Sequence, residues 1–363
     1  MTKILIGLFV LVIFAFSLDV YLINRILKPD SFTPLKFSER PQVLSKVSVR
    51  SNEFIPEPIS LDKIFASDHS WTATISGKIT LIATGDVIPA RAVNYQTAIK
   101  KDYRWPYLNT ALVLKSADLT LINLETPLIK NCPLTQTGMV FCGDEKNIEG
   151  LIFAGVDIAN LANNHSENYG KEGLDYTKNL LTQNGILISD NSNIAIKQFN
   201  NINFGFLGYN ALLPLDKESV ASKIQQAKSQ VDILVVSYHW GAEYQSLPAK
   251  ETINLARLSI DSGADLVIGN HPHWIEAPEI HKGKLIMYAH GNFVFDQMWS
   301  EKTKQGVVGK YTFYKTHLID AEFLPIYIRD YGQPSFLEGE YKNRILSDLK
   351  FNSDKLLDKP SAF

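Results

Sequence analysis

From about Lys78 the chain repeats one arrangement. A short, nearly continuous apolar run ends in polar residues beside Gly, Pro or Asn, and amphipathic stretches lie between the runs. The runs are "ITLIAT", "LTLINL", "IANLA", "NFGFLGY", "DILVVSY", "DLVIG" and "KLIMYA", with "HLIDAEFLPIYI" later. Short runs this rich in Ile, Leu and Val read as strands buried on both faces. Between them lie "GKEGLDYTKNLLTQNG", "DKESVASKIQQAKSQ" and "AKETINLARLSIDSG". The last two space their apolar residues as helices do, and Gly263 stops the third. Strands alternating with helices predict a layered α/β fold in which helices cover a sheet. Beyond about Gly306 the pattern is more β-rich. There "FLPIYIRDYGQPS" reads as an edge strand leading into a Pro-containing turn.

The polar residues that end these runs carry the chemistry. "LIATGD" ends in Asp86, "LINLE" in Glu125, "IANLANNH" in Asn164 and His165, "LVVSYHW" in His239, and "LVIGNHPH" in His271 and His273. In open α/β sheets the carboxyl ends of the strands form the ligand-binding edge. Six candidate ligands, far apart in sequence, are thereby expected on one rim: Asp86, Glu125, Asn164, His239, His271 and His273. Carboxylate, amide oxygen and imidazole suit one or two divalent ions such as Mn, Fe or Zn, and no thiolate cluster demands a structural zinc. A pair of ions needs a bridging carboxylate, polarises an acyl or phosphoryl oxygen and lowers the pKa of a bridging water. His165 beside Asn164 suits a proton donor. Taken singly, each residue has a structural reading: Asp86 as a helix cap, Glu125 and the Asn163–Asn164 pair as turn formers, His239 as a hydrogen-bonded core histidine. Their shared position at strand ends favours the metal. Of the other histidines, His69, His281 and His317 read as structural or surface. "YAHGNFVF" brings His290 and Asn292 to a further strand end near the site.

The net charge of −2 on 363 residues offers no basic field, so nucleic acid is not an expected partner. The N-terminus is apolar from Ile4 to Leu18, and the run resumes after Asp19 to Ile23. As a helix, Ile4 to Ile23 spans about 30 Å, one hydrocarbon core. "FAFSLDV" is a poor cleavage site. The expectation is an uncleaved anchor over 1–27, single-pass at the cell membrane, with the folded domain extracytoplasmic. A Pro- and Ser-rich linker is expected over 28–76, the α/β domain over 77–340 and a tail over 341–363. Cys132 and Cys142 bracket "PLTQTGMVF", a loop-like stretch, and lie close enough to pair in an oxidising compartment.

With these residues in hand, the chain resembles the CapA family of poly-gamma-glutamate capsule biosynthesis proteins, within the calcineurin-like metallophosphoesterase superfamily. The matching pieces are "GDVIPAR" (85–91), "NLETPL" (123–128), "ANNHSENYG" (162–170), "HWGAEY" (239–244), "GADLVIGNHPH" (263–273) and "IMYAHGNFVFDQ" (286–297). The resemblance implies a metallophosphoesterase-like sheet sandwich flanked by helices. It implies Asp86 as first ligand, Glu125 as the bridging acid where the superfamily has Asp, and Asn164, His239, His271 and His273 as further ligands. His165 would be the proton donor. The chain departs from the superfamily at Ile88, where an imidazole is usual, which bears on the occupancy of one ion. Arg91 is a candidate for binding an anionic group, or else a helix-start arginine, and Glu243 and Asn292 are candidate substrate contacts. The implied role is a metal-dependent hydrolase or transferase in making or exporting a capsular polymer. Its partners would be the anionic polymer or its precursor and a membrane synthase complex. The alternatives are an envelope phosphoesterase unrelated to capsule and a non-catalytic scaffold of the synthase.

Overall fold

The computed structural model describes residues 56–192 and 194–357. Among these the strands are, in chain order, β1 (Lys78–Val87), β2 (Leu119–Leu124), β3 (Leu128–Ile129), β4 (Gly143–Asp144), β5 (Ile158–Asn160), β6 (Leu187–Ser189), β7 (Ala195–Phe199), β8 (Ile202–Asn210), β9 (Ile233–His239), β10 (Leu266–Asn270), β11 (Ile275–His281), β12 (Lys284–His290), β13 (Asn292–Val294), β14 (Gln305–Tyr314), β15 (His317–Arg329) and β16 (Gln333–Phe336). One sheet has the order β16-β15-β14-β1-β2-β5-β6, with β13 beside the end of β1. The second has the order β11-β12-β10-β9-β8-β7, and β3 pairs with β4 apart from both. In the first sheet β1, β2, β5 and β6 are parallel, and β14 to β16 extend it antiparallel. In the second, β8, β9, β10 and β12 are parallel, with β7 and β11 as antiparallel edges.

The apolar runs are strands because a parallel strand between covered faces has no polar side to show. Every residue of β2, β9 and β10 is buried. The two sheets pack face to face over Leu81, Ala83, Leu121, Phe206, Val235, Ile268, Met287 and Phe313. Helices close the outer faces. Gly170–Gln183 covers the first sheet through Leu181, and Lys217–Lys228 and Lys250–Asp261 cover the second through Ile224, Ala256 and Ile260. Asp216 caps the second of these helices by accepting from the Ser219 amide at 3.0 Å. Gly263, at φ +117°, ends the third. The result is a four-layer helix–sheet–sheet–helix sandwich. The parallel strands of both sheets end on the same rim.

Three expectations change. Part of the expected linker is structured: Ile59 and Ile64 are buried in the core between the sheets. The segment 341–363, expected as a tail, begins within the helix Gly339–Leu357, whose Ile345 and Leu349 enter that same core. Its few buried positions are diluted by charged residues, so the local pattern reads as polar. The edge strand after Gly306 is β16, and β15 lies inside the sheet between β14 and β16. The span expected over 1–27 lies outside the described residues. Among the described residues no helix is long and apolar enough to cross a membrane. The single-pass, extracytoplasmic placement is corrected on that finding.

Two contacts are open to direct test. A Cβ on Gly85 would lie 2.0 Å from the Gly291 carbonyl oxygen, which accepts from the Asp86 amide at 3.0 Å. Gly85→Ala is therefore expected to cost about 1–3 kcal/mol or more by overpacking, read as a lowered denaturant midpoint, with loss of metal binding. His69 Nδ1 lies 2.9 Å from both Asp320 oxygens. Burial alone would lower the His69 pKa, but the hydrogen bond and charge of Asp320 raise it above the usual 6.5. Because the folded value is the higher one, the contribution is complete below the unfolded value and fades as pH rises through the folded one. Thermal melts should show His69→Asn destabilised by about 1–2 kcal/mol near pH 6 and by less near pH 9.

Candidate metal centre

Strand ends from both sheets deliver the expected residues to one buried cluster. Asp86 lies at the end of β1, Glu125 just past β2 and Asn164 in the loop after β5. His239 ends β9, and His271 and His273 follow β10. His271 and His273 hold φ of +98° and +56° on either side of Pro272. Left-handed backbone at two non-glycine residues costs roughly 1–3 kcal/mol each and persists only where surrounding structure enforces it. Here the strain turns two imidazoles inward.

The distances define two overlapping sets. His239 Nε2 is 2.8 Å from Asn164 Oδ1, 3.1 Å from His271 Nδ1 and 3.4 Å from Glu125 Oε1. Donor atoms bound to one ion at about 2.1 Å stand roughly 3.0–3.4 Å apart, so these atoms are spaced as a coordination shell. The second set is Asp86, Glu125 and His273, whose ligand atoms lie within 4.8 Å of one another. His273 Nδ1 is 3.0 Å from Asp86 Oδ2 and 2.9 Å from Asn292 Oδ1. Glu125 belongs to both sets. It is fully buried, and neither of its carboxylate oxygens has a hydrogen-bond partner. A buried carboxylate without donors is among the most costly arrangements in a protein, and a cation is what satisfies it. The residues therefore fit a divalent metal.

The electrostatics agree. Burial pushes His239 and His271 down to about 3, so both present lone pairs at neutral pH. Burial and the nearby Asp86 charge raise Glu125 well above the usual carboxylate range. Burial opposes ionisation of Asp86, but the hydrogen bond and charge of His273 hold it low. In return Asp86 and Glu125 raise His273 to about 9 against its burial. Asp86 and His273 thus favour each other's charged forms, while burial resists ionisation of Glu125.

Other expected residues land differently. His165 is beside the cluster, its Nε2 4.0 Å from Glu125 Oε1. Glu243 forms a third candidate ligand set with His271 and His273. Asn292 is fully buried and holds His273, and its amide donates to the Thr303 carbonyl at 2.9 Å, so it is no open substrate contact. The Arg91 guanidinium is engaged by Asp296 and the Gly138 carbonyl and lies over the Phe141 and Phe295 rings. The expected anion-binding role is corrected accordingly: this cation is already neutralised. It also starts the helix Arg91–Lys100. Ile88 is fully buried against Ala90, Phe141 and Phe295. His290 bonds Tyr311 at 2.8 Å, away from the ligand sets. Cys132 and Cys142 are disulfide-bonded. Sequence reading missed Asn123, whose amide donates to Asp86 Oδ1 at 2.8 Å and whose oxygen accepts from Asn160 at 3.0 Å.

Fold and site together define an α/β sandwich with a buried histidine–carboxylate cluster, compatible with metal binding, where its two sheets end. The bacterial capsule synthesis protein family PGA_cap matches residues 80–297, which include every candidate ligand. The chain belongs to that family. It is 30% identical over 271 residues to the PGA biosynthesis protein CapA of Bacillus subtilis, covering 68% of this chain and 70% of that protein. It is 26% identical over 309 residues to the capsule biosynthesis protein CapA of Bacillus anthracis, covering 77% and 74%. A solved phosphatase from Mycoplasma pneumoniae aligns over 74% of this chain and 99% of its own, with 15% identity and a TM-score of 0.49. That likeness is too loose to bear on the chemistry.

If Glu125 is the shared ligand, its carboxylate is what metal binding requires. Mn²⁺ at about a hundred times its Kd should stabilise the wild-type chain by about 2.7 kcal/mol in thermal melts. Glu125→Gln should abolish that shift. A Gln variant stabilised as strongly as wild type would remove Glu125 from the site.

Proposed function

We propose that this chain is a divalent-metal-dependent hydrolase or transferase in the synthesis of a capsular polymer of the poly-gamma-glutamate type. The reading is carried by the unsatisfied Glu125 carboxylate of the first sheet lying among imidazoles of the second, in a chain whose relatives are capsule proteins. Asp86, Glu125, Asn164, His239, His271 and His273 are the ligands, with Glu243 at the edge of the His271–His273 set. When bound, one or two ions of the Mn, Fe or Zn type would polarise a phosphoryl or acyl oxygen and activate water. The chain's residues do the rest. Asn123 fixes Asp86, Asn292 fixes His273, and His165 directs Nε2 at the centre to pass a proton to a leaving group. The substrate is the anionic polymer or its activated precursor, cleaved or transferred at a phosphoester, phosphoanhydride or amide.

A scaffold reading draws support from one observation, the apolar Ile88 where an imidazole is usual. Complementation separates the two. In a capsule-forming host deleted for its own chain, wild type should restore polymer, and His271→Ala and Asn164→Ala should not. With Mn²⁺-loaded protein and a generic phosphoester, His165→Ala should lower kcat about 100-fold or more while metal content stays unchanged. Full restoration by the ligand variants would establish the scaffold instead.

A further inference from the structure

The loop from Cys132 to Cys142 contributes no ligand, yet it reaches the site. Phe141, one residue before the bridged Cys142, is buried and stacks on His165, the ring centroids 4.0 Å apart and the planes 22° from parallel. The Phe141 amide donates to Asn168 Oδ1 at 2.7 Å. That oxygen also lies 2.8 Å from His165 Nδ1. A backbone amide only donates, so the Asn168 atom facing it is the oxygen. An imidazole nitrogen at hydrogen-bond distance from the same oxygen must then carry a hydrogen. His165 thereby keeps its hydrogen on Nδ1, so the proton it gives up to a leaving group is the one carried on Nε2, toward Glu125.

Phe141 is itself held from several sides. Its other neighbours are Ile88, Ala90 and Phe295, and the Arg91 guanidinium lies 4.8 Å from its ring centre. Arg91 donates to Gly138 within the loop at 3.0 Å and is anchored by Asp296. At the far end of the loop the disulfide ties Cys142 to Cys132, beside which Asn94 lies at 3.7 Å. The loop tip carries exposed Leu134, Met139 and Val140, so burial of its own tip does not order it.

We propose that Asn168 and Phe141 are positioning residues for His165, and that the Cys132–Cys142 bridge holds Phe141 against the imidazole. The inference rests on the reading of His165 as proton donor. It also gives Ile88 a purpose: the side chain that forfeits a ligand becomes part of the wall behind Phe141.

The test uses the full chain, in metal-free and Zn²⁺-loaded forms. Imidazole ¹⁵N spectra, with His165 assigned by comparison with His165→Gln, should show the Nδ1–H form in wild type. Asn168→Ala should lose it and lower kcat at least 10-fold, with KM within about twofold and metal stoichiometry unchanged. Asn168→Asp, which keeps an oxygen facing both donors, should recover the Nδ1–H form. Cys132→Ser/Cys142→Ser and Phe141→Leu should each lower kcat less than Asn168→Ala does. Phe141→Leu keeps apolar bulk, so it reports on the stacking even if the double serine variant unfolds. Retention of both the tautomer and kcat in Asn168→Ala and Phe141→Leu would overturn the proposal. If wild type turns over no substrate, the enzymatic reading fails by itself. The tautomer measurement then still decides whether Asn168 and Phe141 set the imidazole.

Discussion

Burying Glu125 with neither oxygen bonded by the protein is a debt of several kcal/mol, and the surrounding architecture is arranged about that carboxylate. The first sheet supplies Glu125 and Asp86, and the second supplies His239, His271 and His273. Because the two sheets share one apolar core, their parallel strands end on a common rim and the two groups of ligands meet. The two sets that share Glu125 each draw on both sheets. The sandwich contact between Phe206, Val235 and Ile268 on one side and Leu81 and Leu121 on the other is therefore also what sets the distance between carboxylates and imidazoles. A packing change deep between the sheets would register at the rim without touching a ligand.

The polar residues behind the ligands form a second framework. Asn123 donates to Asp86 and lies 3.4 Å from His239 Nδ1, and its oxygen accepts from Asn160. One amide thereby links a ligand of each sheet to the strand that precedes Asn164. Asn292 does the same for His273, with its own amide held by the Thr303 carbonyl. Fixing the unligated nitrogen or oxygen of a metal ligand sets its orientation and basicity, and loss of such a partner commonly weakens binding 10- to 100-fold. The amides do not titrate, so this support is the same whether or not the ligands are charged.

Strand ends made the six candidate ligands legible in the sequence, because their shared place after unbroken apolar runs puts them on one rim. The strand–helix alternation was legible for the same reason, since parallel strands buried on both faces leave continuous apolar runs. Asn123 was not. It stands inside "LTLINL", where a single polar residue looks incidental until Asp86 is brought beside it. Asn292 was noticed at a strand end, but its true neighbours depend on β13 returning alongside β1, a pairing that spans some two hundred residues and leaves no local trace. Arg91 looked like an anion site because its partner Asp296 is equally distant in the chain. The helix Gly339–Leu357 shows only a sparse apolar face, since Ile345 and Leu349 are enough to seal a core that others have built.

Ile88 bears on how the two sides of the site divide their work. An imidazole there would be buried beside Phe141 and Phe295, in a pocket that offers apolar surface and the neutralised Arg91–Asp296 pair. Isoleucine completes that pocket with no polar atom to satisfy. The ligand side of the site is thus closely hydrogen-bonded and charged. The His165 side is walled by Phe141 and shaped by packing. A proton donor works best where water is scarce and its orientation is fixed, and an apolar wall supplies both. Ile88 thus serves the apolar wall and not the ligand side. A polar ring at Ile88 would leave its nitrogens without partners in that wall and loosen the packing behind His165.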